Sequence, residues 1–164
     1  MILSRRESLG ALLAAAAMVG APRAGAAEAD IVLGAPNSLT GGFGENGQRG
    51  VWGFLIAVDQ INREGGIKAL GGAKLKPLAA DTTTENPTQA ASVTRRMLDQ
   101  DGAIALYGAT TSAMTMAAQV EAEKARVPLI TSSYADPLTK RGMKYTFKLT
   151  AFGSAIWNFG MDSV

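Results

Sequence analysis

From residue 30 onward, short apolar runs alternate with longer amphipathic stretches. Five runs predict buried strands, because turn residues bound each one and none is long enough for a helix: 30–35, 74–80, 103–107, 127–130 and 145–149. Apolar residues at helical spacing predict helices between them, at 49–64, 86–100, 110–126 and 154–164. In the first helix the apolar positions are so numerous that we expect much of its surface to be buried: Trp52, Leu55, Ile56, Val58 and Ile61.

Strands that alternate with helices predict an α/β fold, a parallel sheet flanked by helices with right-handed crossovers. Ligands of such sheets bind at the carboxyl ends of the strands, near helix N-termini. The loops expected at that edge are 37–48, 81–86, 108–113 and 131–138. Most are rich in Ser, Thr, Asn and Gly and poor in charge, which favours a small polar ligand whose carboxylate faces a helix N-terminus.

The first of these loops contains Gly42, Gly44 and Gly47 in the spacing G-x-G-x-x-G. A dinucleotide site needs the first glycine at the strand end and an acidic residue about 20 residues later. The predicted strand ends six residues before Gly41, and Asp81 lies 39 residues after Gly42. We therefore interpret these glycines as part of a long loop, 36–48, that bends over the edge of the sheet.

Residues 1–29 are typical of an export signal. Arg5 and Arg6 precede an apolar run over 9–21, and the small residues 24–27 offer a cleavage site. The run is too short to cross a bilayer, which takes roughly 20 residues as a helix. A twin-arginine signal and a general secretory signal both remain open, and the twin arginine favours the first.

Removing the leader changes the charge balance. Three of the sixteen basic residues and one of the fourteen acidic residues precede Ala27, so thirteen of each sign follow it. Without a basic excess, a nucleic-acid partner is not expected. The sequence has no Cys, and therefore no disulfide or lipid-attachment cysteine, so we expect an exported protein with no lipid anchor that is not membrane-embedded.

Catalysis is also disfavoured. The chain has no His, which removes the commonest general base and zinc ligand. An extracytoplasmic α/β enzyme would need carboxylates or a Ser-Lys pair, and neither S-x-x-K nor G-x-S-x-G occurs. We expect no catalytic residue, metal ion or cofactor.

Several side chains have structural interpretations. Asp81 is expected to cap or brace the loop at 82–84 rather than to contact a ligand, and Met114 and Met116 to serve helix packing rather than to line a pocket. Trp52 is assigned to the core or the lobe surface rather than to a stacking platform for a ligand, and Tyr134 to a pocket wall or its rim. A solvated helix face is predicted for four charged residues, with the first and third pairing weakly: Glu121, Glu123, Lys124 and Arg126.

A succession of segments resembles a known family. The stretch NSLTGGFGENGQRGVWGFLIAVDQINREGGI is similar to the opening of the branched-chain amino-acid-binding type of ABC-transporter solute-binding proteins. AADTTTENPTQAASVTRRML and GATTSAMTMAAQVEAEKARVPLITSSYADPLTKRG continue the likeness in order and spacing. The resemblance implies the N-terminal lobe of a two-lobed, Venus-flytrap periplasmic binding protein. It also implies a membrane permease as partner and an amino acid, amide or small carboxylate as ligand.

The resemblance also implies the site. In this family a Ser at the start of the third helix and a Ser/Thr/Ala stretch after the fourth strand bind the ligand's carboxylate. These positions, with contributions from the first loop, correspond to Thr40, Gly41, Asn46, Thr111, Ser112, Ser133, Tyr134 and Ala135. Asn46 replaces an aromatic residue of several amino-acid binders, and Tyr134 replaces a small residue or Thr. Both departures argue against strict Leu/Ile/Val specificity.

Two further expectations follow. Residues 30–164 are interpreted as an incomplete N-terminal lobe, since the sequence stops within a predicted helix and supplies no opposing lobe. A ligand-sensing domain of a signalling receptor remains the alternative function on the same fold, and neighbouring permease and ATPase genes would favour transport.

Overall fold

The computed structural model describes residues 30–162. The predicted export signal, including Arg5 and Arg6, and the last two residues lie outside this part. Five strands form one sheet: β1 (Ile31–Asn37), β2 (Leu75–Asp81), β3 (Ala105–Tyr107), β4 (Leu129–Thr131) and β5 (Thr146–Lys148). The helices are α1 (Gly44–Arg63), α2 (Pro87–Asp99), α3 (Ser112–Ala125), α4 (Pro137–Lys140) and α5 (Gly153–Asp162), with a 3-10 turn at Lys68–Leu70.

All strand pairs are parallel, and the spatial order is β2-β1-β3-β4-β5. The α/β class with a parallel sheet flanked by helices is therefore confirmed. Each predicted strand exists, with ends shifted by one or two residues in most cases. β1 pairs with β2 over its whole length, from Ile31 opposite Leu75 to Asn37 opposite Asp81.

The main core lies between the sheet and helices α2 and α3. Leu106 of β3 and Leu129 of β4 pack there with Met97, Ala118 and Ala122, and all five are almost fully buried. Neighbouring strand residues point to opposite faces, so Tyr107 faces the other side, where its ring stacks on Phe54 of α1 with centroids 5.9 Å apart. Met114 is also buried, as predicted.

Helix α1 begins five residues earlier than predicted, and β1 ends two residues later, so the predicted long loop at 36–48 is wrong. Gly44 to Gln48 form the first turn and a half of the helix. The apolar periodicity starts only at Val51, because close packing requires glycine before it. A Cβ on Gly47 would lie 1.8 Å from the Ser38 carbonyl oxygen.

The predicted burial of α1 is also wrong. Val51 and Val58 are buried, but Trp52 and Ile56 are 58% and 67% exposed. Within residues 30–162, α1 covers the β1–β2 part of one face of the sheet. No other element of this part of the chain packs against the outer side of α1. Apolar periodicity reports what a helix can bury, whereas the neighbouring elements decide what it does bury.

The predicted solvated face of α3 needs correction as well. Glu121 is buried, and its carboxylate pairs with Arg95 of α2 at 3.0 Å and with Lys124 at 3.0 Å. These bonds, led by the one from Arg95, outweigh burial and lower the pKa of Glu121. Glu123 accepts the backbone N–H groups of Lys144 and Tyr145. The predicted Glu121–Lys124 pair is confirmed.

No helix within residues 30–162 is long and apolar enough to cross a membrane.

Candidate ligand-binding site

A hollow of about 370 Å³ lies at the carboxyl edge of the sheet. Three strand-to-helix segments line it. They are β1–α1 with Asn37, Phe43, Asn46 and Gly50, β3–α3 with Tyr107, Thr110, Thr111 and Ser112, and β4–α4 with Ser132, Ser133 and Tyr134. None of these lining residues carries a charge, so the groups that the hollow offers are hydroxyls, amides, backbone groups and aromatic rings.

The loop between β1 and α1 is held by Asp81, at the end of β2. Its carboxylate accepts the Thr40 hydroxyl at 2.5 Å and the Leu39 N–H at 2.8 Å. It also accepts the Thr83 N–H at 2.8 Å, which confirms that Asp81 braces its own turn. Burial alone would raise the pKa of Asp81, but these hydrogen bonds outweigh it and lower the pKa below its ordinary value of 3.8.

The strand ends behind the hollow are joined by Asn37. Its side-chain amide donates to the Tyr107 carbonyl at 3.0 Å and accepts the Thr110 hydroxyl at 3.2 Å. Thr110 Oγ1 in turn accepts the Ser38 N–H at 3.0 Å. Because both ends of the Asn37 amide are engaged, its side chain fixes β1 against β3.

Helix α3 points its N-terminus at the hollow. Thr111 is the N-cap, and its hydroxyl accepts the Met114 N–H at 3.5 Å. Ser112 is the first helical residue, and its hydroxyl accepts the Ala135 N–H at 3.2 Å. The Ser112 hydroxyl keeps its proton to donate, and the first-turn N–H groups of a helix favour an anionic ligand atom.

Beneath the hollow, three buried hydroxyls form a cluster that we call the floor: Thr115, Thr131 and Ser133. Thr115 Oγ1 lies 2.8 Å from Ser133 Oγ and 3.4 Å from Thr131 Oγ1. Both the Thr115 and the Ser133 hydroxyl also lie 3.1 Å from the Ala109 carbonyl oxygen, and Thr115 Oγ1 lies 2.9 Å from the Thr111 carbonyl oxygen, so their two protons are shared among these acceptors. The floor thus ties α3 and β4 to the end of β3 through side chains that are at most 2% exposed.

Three exposed polar residues face outward around the same hollow, and we call them the rim: Asn46, Ser132 and Tyr134. Within residues 30–162 their side-chain polar atoms form no hydrogen bond. The Tyr134 backbone is fixed, because its carbonyl accepts Lys148 Nζ at 2.7 Å and the Gly153 N–H at 2.9 Å. At Tyr134 the rim therefore combines a backbone fixed by hydrogen bonds with a side-chain hydroxyl that is unbonded within residues 30–162.

Asp136, just beyond the rim, anchors α5. Its carboxylate accepts the Ser154 hydroxyl at 2.5 Å and N–H at 3.2 Å, and it pairs with Lys140 at 2.9 Å. The bonds from Ser154 and then Lys140 hold the pKa of Asp136 well below its ordinary value. The loop that carries Tyr134 is thereby fastened to the start of the last described helix.

The structure brings together five of the eight residues predicted for the site: Asn46, Thr111, Ser112, Ser133 and Tyr134. Ala135 lies beside them through its bond to Ser112. Thr40 and Gly41 are at the same sheet edge but contact Asp81 and Thr84 outside the lining. The Ser133 hydroxyl is already engaged in the floor.

Several residues that line the hollow were not predicted from the sequence: Asn37, Phe43, Gly50, Tyr107, Thr110 and Ser132. Four of them, Asn37, Phe43, Thr110 and Ser132, fall within the loops predicted to lie at the carboxyl edge of the sheet. Their position in those loops is the signal that could have identified them. Gly50 and Tyr107 lie inside a helix and a strand. Their contribution arises from the close approach of α1 to β3, which no local pattern reveals.

A family model described as periplasmic binding protein matches residues 30–157. The chain belongs to this family. It is 35% identical over 122 residues to an amino acid binding protein of Pseudomonas aeruginosa, covering 74% of this chain and 32% of that protein. It is 32% identical over 140 residues to Leu/Ile/Val-binding protein homolog 8 of Brucella abortus, covering 85% and 33%.

Solved structures agree with this periplasmic binding protein assignment. The branched-chain amino acid transporter substrate-binding protein LivJ of Streptococcus pneumoniae, in complex with isoleucine, matches with a TM-score of 0.70 at 34% identity, covering 75% of this chain and 34% of that one. The leucine-binding protein LivK of Thermotoga maritima matches at 0.67 and 25%, covering 81% and 37%. The predicted family and fold are confirmed, and the chain spans about a third of the length of these proteins.

Proposed function

We propose that the protein is the extracytoplasmic solute-binding component of an ABC importer, and that it binds an amino acid or a related small carboxylate in the hollow. The observation that carries this proposal is the convergence of three loop segments with uncharged polar groups on one hollow, beside the N-terminus of α3. Family membership supports the same function.

In this proposal the ligand's carboxylate lies against the start of α3. The Ser112 hydroxyl and the N–H groups of the first turn donate to it, and the helix dipole favours its negative charge. With no cationic side chain in the lining, these donors would carry the recognition of the anion. A second lobe, closing over the hollow, would supply the remaining contacts, and residues 30–164 would be the first lobe of such a pair.

The direct test is ligand-induced stabilisation of the protein produced from its full reading frame without residues 1–29. Amino acids, amides and small carboxylates are screened by thermal shift, and hits are titrated by calorimetry. A ligand present at 100 times its Kd stabilises a protein by about 2.7 kcal/mol. Silence across the whole library would contradict solute binding.

The Ser112→Ala variant tests the placement of the carboxylate. Losing one hydrogen bond to a charged group is expected to weaken affinity roughly tenfold. Ser92→Ala is the matched control, since Ser92 is exposed on α2. Equal affinity of the Ser112→Ala variant and the control for the ligand would place the carboxylate elsewhere.

We also propose that residues 1–29 direct export to the periplasm and that the mature protein delivers its ligand to membrane permease subunits. Replacing Arg5 and Arg6 by Lys tests the route. Accumulation of an uncleaved precursor in the cytoplasm would support the twin-arginine pathway, whereas undisturbed export would support the general secretory one.

A further inference from the structure

Six exposed residues form one row along the outer side of α1. They are alternately four and three positions apart, which is the spacing that keeps side chains in line along a helix. We call this row the stripe: Glu45, Arg49, Trp52, Ile56, Asp59 and Arg63. The buried residues of the helix, Val51 and Val58 among them, face the sheet on its other side. Within residues 30–162, no element covers the stripe.

The centre of the stripe is apolar. Trp52 and Ile56 lie one turn apart and are 58% and 67% exposed. A solvated helix face requires neither of them, since apolar side chains of this size gain free energy by leaving water. Protein interfaces are enriched in Trp and Arg and depleted in Lys, and α1 carries one Trp, two Arg and no Lys. This composition favours a protein partner.

The charges of the stripe become complementary when two copies of α1 run antiparallel. With a two-fold axis level with Phe54, each residue meets the one that lies equally far from Phe54 on the other side. Glu45 and Arg63 are each nine positions from Phe54, and Arg49 and Asp59 are each five positions from it. Every acidic residue of one stripe therefore faces a basic residue of the other.

The apolar centre obeys the same symmetry. Trp52 and Ile56 are each two positions from Phe54, so Trp52 of one copy meets Ile56 of the other. A two-fold interface requires this reciprocity, in which the first residue contacts the second and the second contacts the first. A parallel pair would instead place each charge against the same charge. The stripe therefore selects the antiparallel arrangement.

We propose that the outer side of α1 is a docking surface for a second copy of this chain, in an antiparallel two-fold dimer. The stripe is about 27 Å long, and its six side chains are far fewer than the roughly 20–30 residues per side of a standard interface. The dimer is therefore weak and reversible, with a Kd in the micromolar range. Exposed ion pairs add little affinity, so the charges set the orientation while Trp52 and Ile56 supply most of the binding.

The test exchanges charges between copies, with the dimer measured by sedimentation velocity from low micromolar to submillimolar concentration. It uses the protein from its full reading frame without residues 1–29. Arg49→Glu and Asp59→Arg each create two like-charged contacts in a homodimer, so each variant alone should be monomeric. An equimolar mixture should dimerise, because the new Glu of one variant then faces the new Arg of the other. Within one chain these positions lie about 15 Å apart along the helix, so an intrachain effect predicts no such rescue.

A second comparison tests the apolar centre. Ile56→Gln should raise the Kd of the dimer at least about tenfold, since the interface contains this residue twice. Ile104→Gln is the matched control, because Ile104 precedes β3, lies outside α1 and is 58% exposed. It should leave the Kd unchanged. Thermal unfolding of the two variants in dilute solution should be similar, because both side chains are exposed in the single chain.

Several results would overturn the proposal. A wild-type protein that is monomeric at every concentration would do so, as would a mixture of the two charge variants that does not dimerise. If the wild-type protein is monomeric and Ile56→Gln lowers the unfolding temperature more than Ile104→Gln does, another segment of the same chain covers the stripe and the dimer is equally excluded. No stripe residue lines the hollow, so none of these results changes the proposed solute binding.

Discussion

The floor and the rim of the hollow are built from similar polar residues, Ser and Thr below and Ser, Asn and Tyr above, yet they differ in burial and in hydrogen bonding. Floor hydroxyls are buried and bond one another and the Ala109 carbonyl. Rim side chains are exposed and form no hydrogen bond within residues 30–162. The floor uses its polar groups to join three elements, whereas the rim leaves its polar side-chain atoms unbonded within residues 30–162. Residue type alone therefore does not identify a binding residue.

The largest effect is expected from crowding the close contact between α1 and the residue that follows β1. In Gly47→Ala the new methyl group would lie 1.8 Å from the Ser38 carbonyl oxygen, so α1 must move. We expect a loss of roughly 3 kcal/mol in the free energy of unfolding, measured by urea denaturation. Gly53→Ala on the same helix, where nothing lies within 4 Å, should instead be neutral or gain about 1 kcal/mol. Equal behaviour of the two variants would contradict this packing.

Removing the central floor hydroxyl should come next. Thr115→Val preserves shape but leaves the buried Ser133 hydroxyl and Ala109 carbonyl each with one partner fewer. A loss of about 2 kcal/mol in unfolding free energy is expected. Thr88→Val, an exposed position on α2, should change stability by less than about 0.5 kcal/mol. If Thr115→Val were as stable as that control, the floor would not hold the elements together.

The effect on stability at Asp81 should be smaller than at the floor and larger than at the rim, because Asp81 braces the β1–α1 loop from outside the hollow. Asp81→Asn should lose about 1 kcal/mol in unfolding free energy at neutral pH, since several donors then face a neutral acceptor. The pKa of Asp81 is lowered in the folded protein, so its contribution is complete above the ordinary value of 3.8 and is lost as pH falls through the lower folded value.

The pH dependence gives the check on Asp81. Unfolding curves collected from pH 6 down to about pH 3 should show the wild-type protein converging on Asp81→Asn as the carboxylate becomes protonated. Asp59→Asn, which removes only a surface pair with Arg63, serves as control. A stability difference between wild type and Asp81→Asn that stays constant over this range would refute the assignment.

The smallest effect on stability is expected at the rim. Ser132→Ala removes an exposed hydroxyl that has no partner within residues 30–162, so unfolding free energy should change by less than about 0.5 kcal/mol. Ligand affinity is the sharper readout here, and a decrease without loss of stability would mark Ser132 as a ligand contact. A stability loss matching that of Thr115→Val would erase the distinction between rim and floor.

Strand order along the chain and the edge that carries the hollow could be predicted from local patterns. Apolar runs bounded by glycine located the strands, and parallel topology placed the loops that follow them on one side. The N-cap of α3 is Thr111, although the next residue, Ser112, also carries a hydroxyl that could cap the helix. Either hydroxyl can accept a first-turn N–H, so the backbone conformation at the start of α3 decides which residue is the cap.

Local patterns failed where a distant element determines the environment. The start of α1 is hidden because Gly44 and Gly47 are selected by contact with the β1 end, not by helical propensity. Glu121 was predicted to lie on a solvated face of α3, but in the fold α2 places Arg95 3.0 Å from its carboxylate. The apolar face of α1 is the opposite case. Its residues have the spacing expected of a buried helix face, but no element within residues 30–162 covers that face.

The sequence by itself determined the alternation of strands and helices, the family, and the supply of uncharged polar groups at the carboxyl edge of the sheet. These depend on short-range periodicity, turn residues and composition. Only the tertiary structure decided which of those polar groups are bonded within the lobe and which remain free. That choice depends on distances between residues far apart in the chain, such as Ser133 and Ala109, which the fold alone brings within hydrogen-bonding reach.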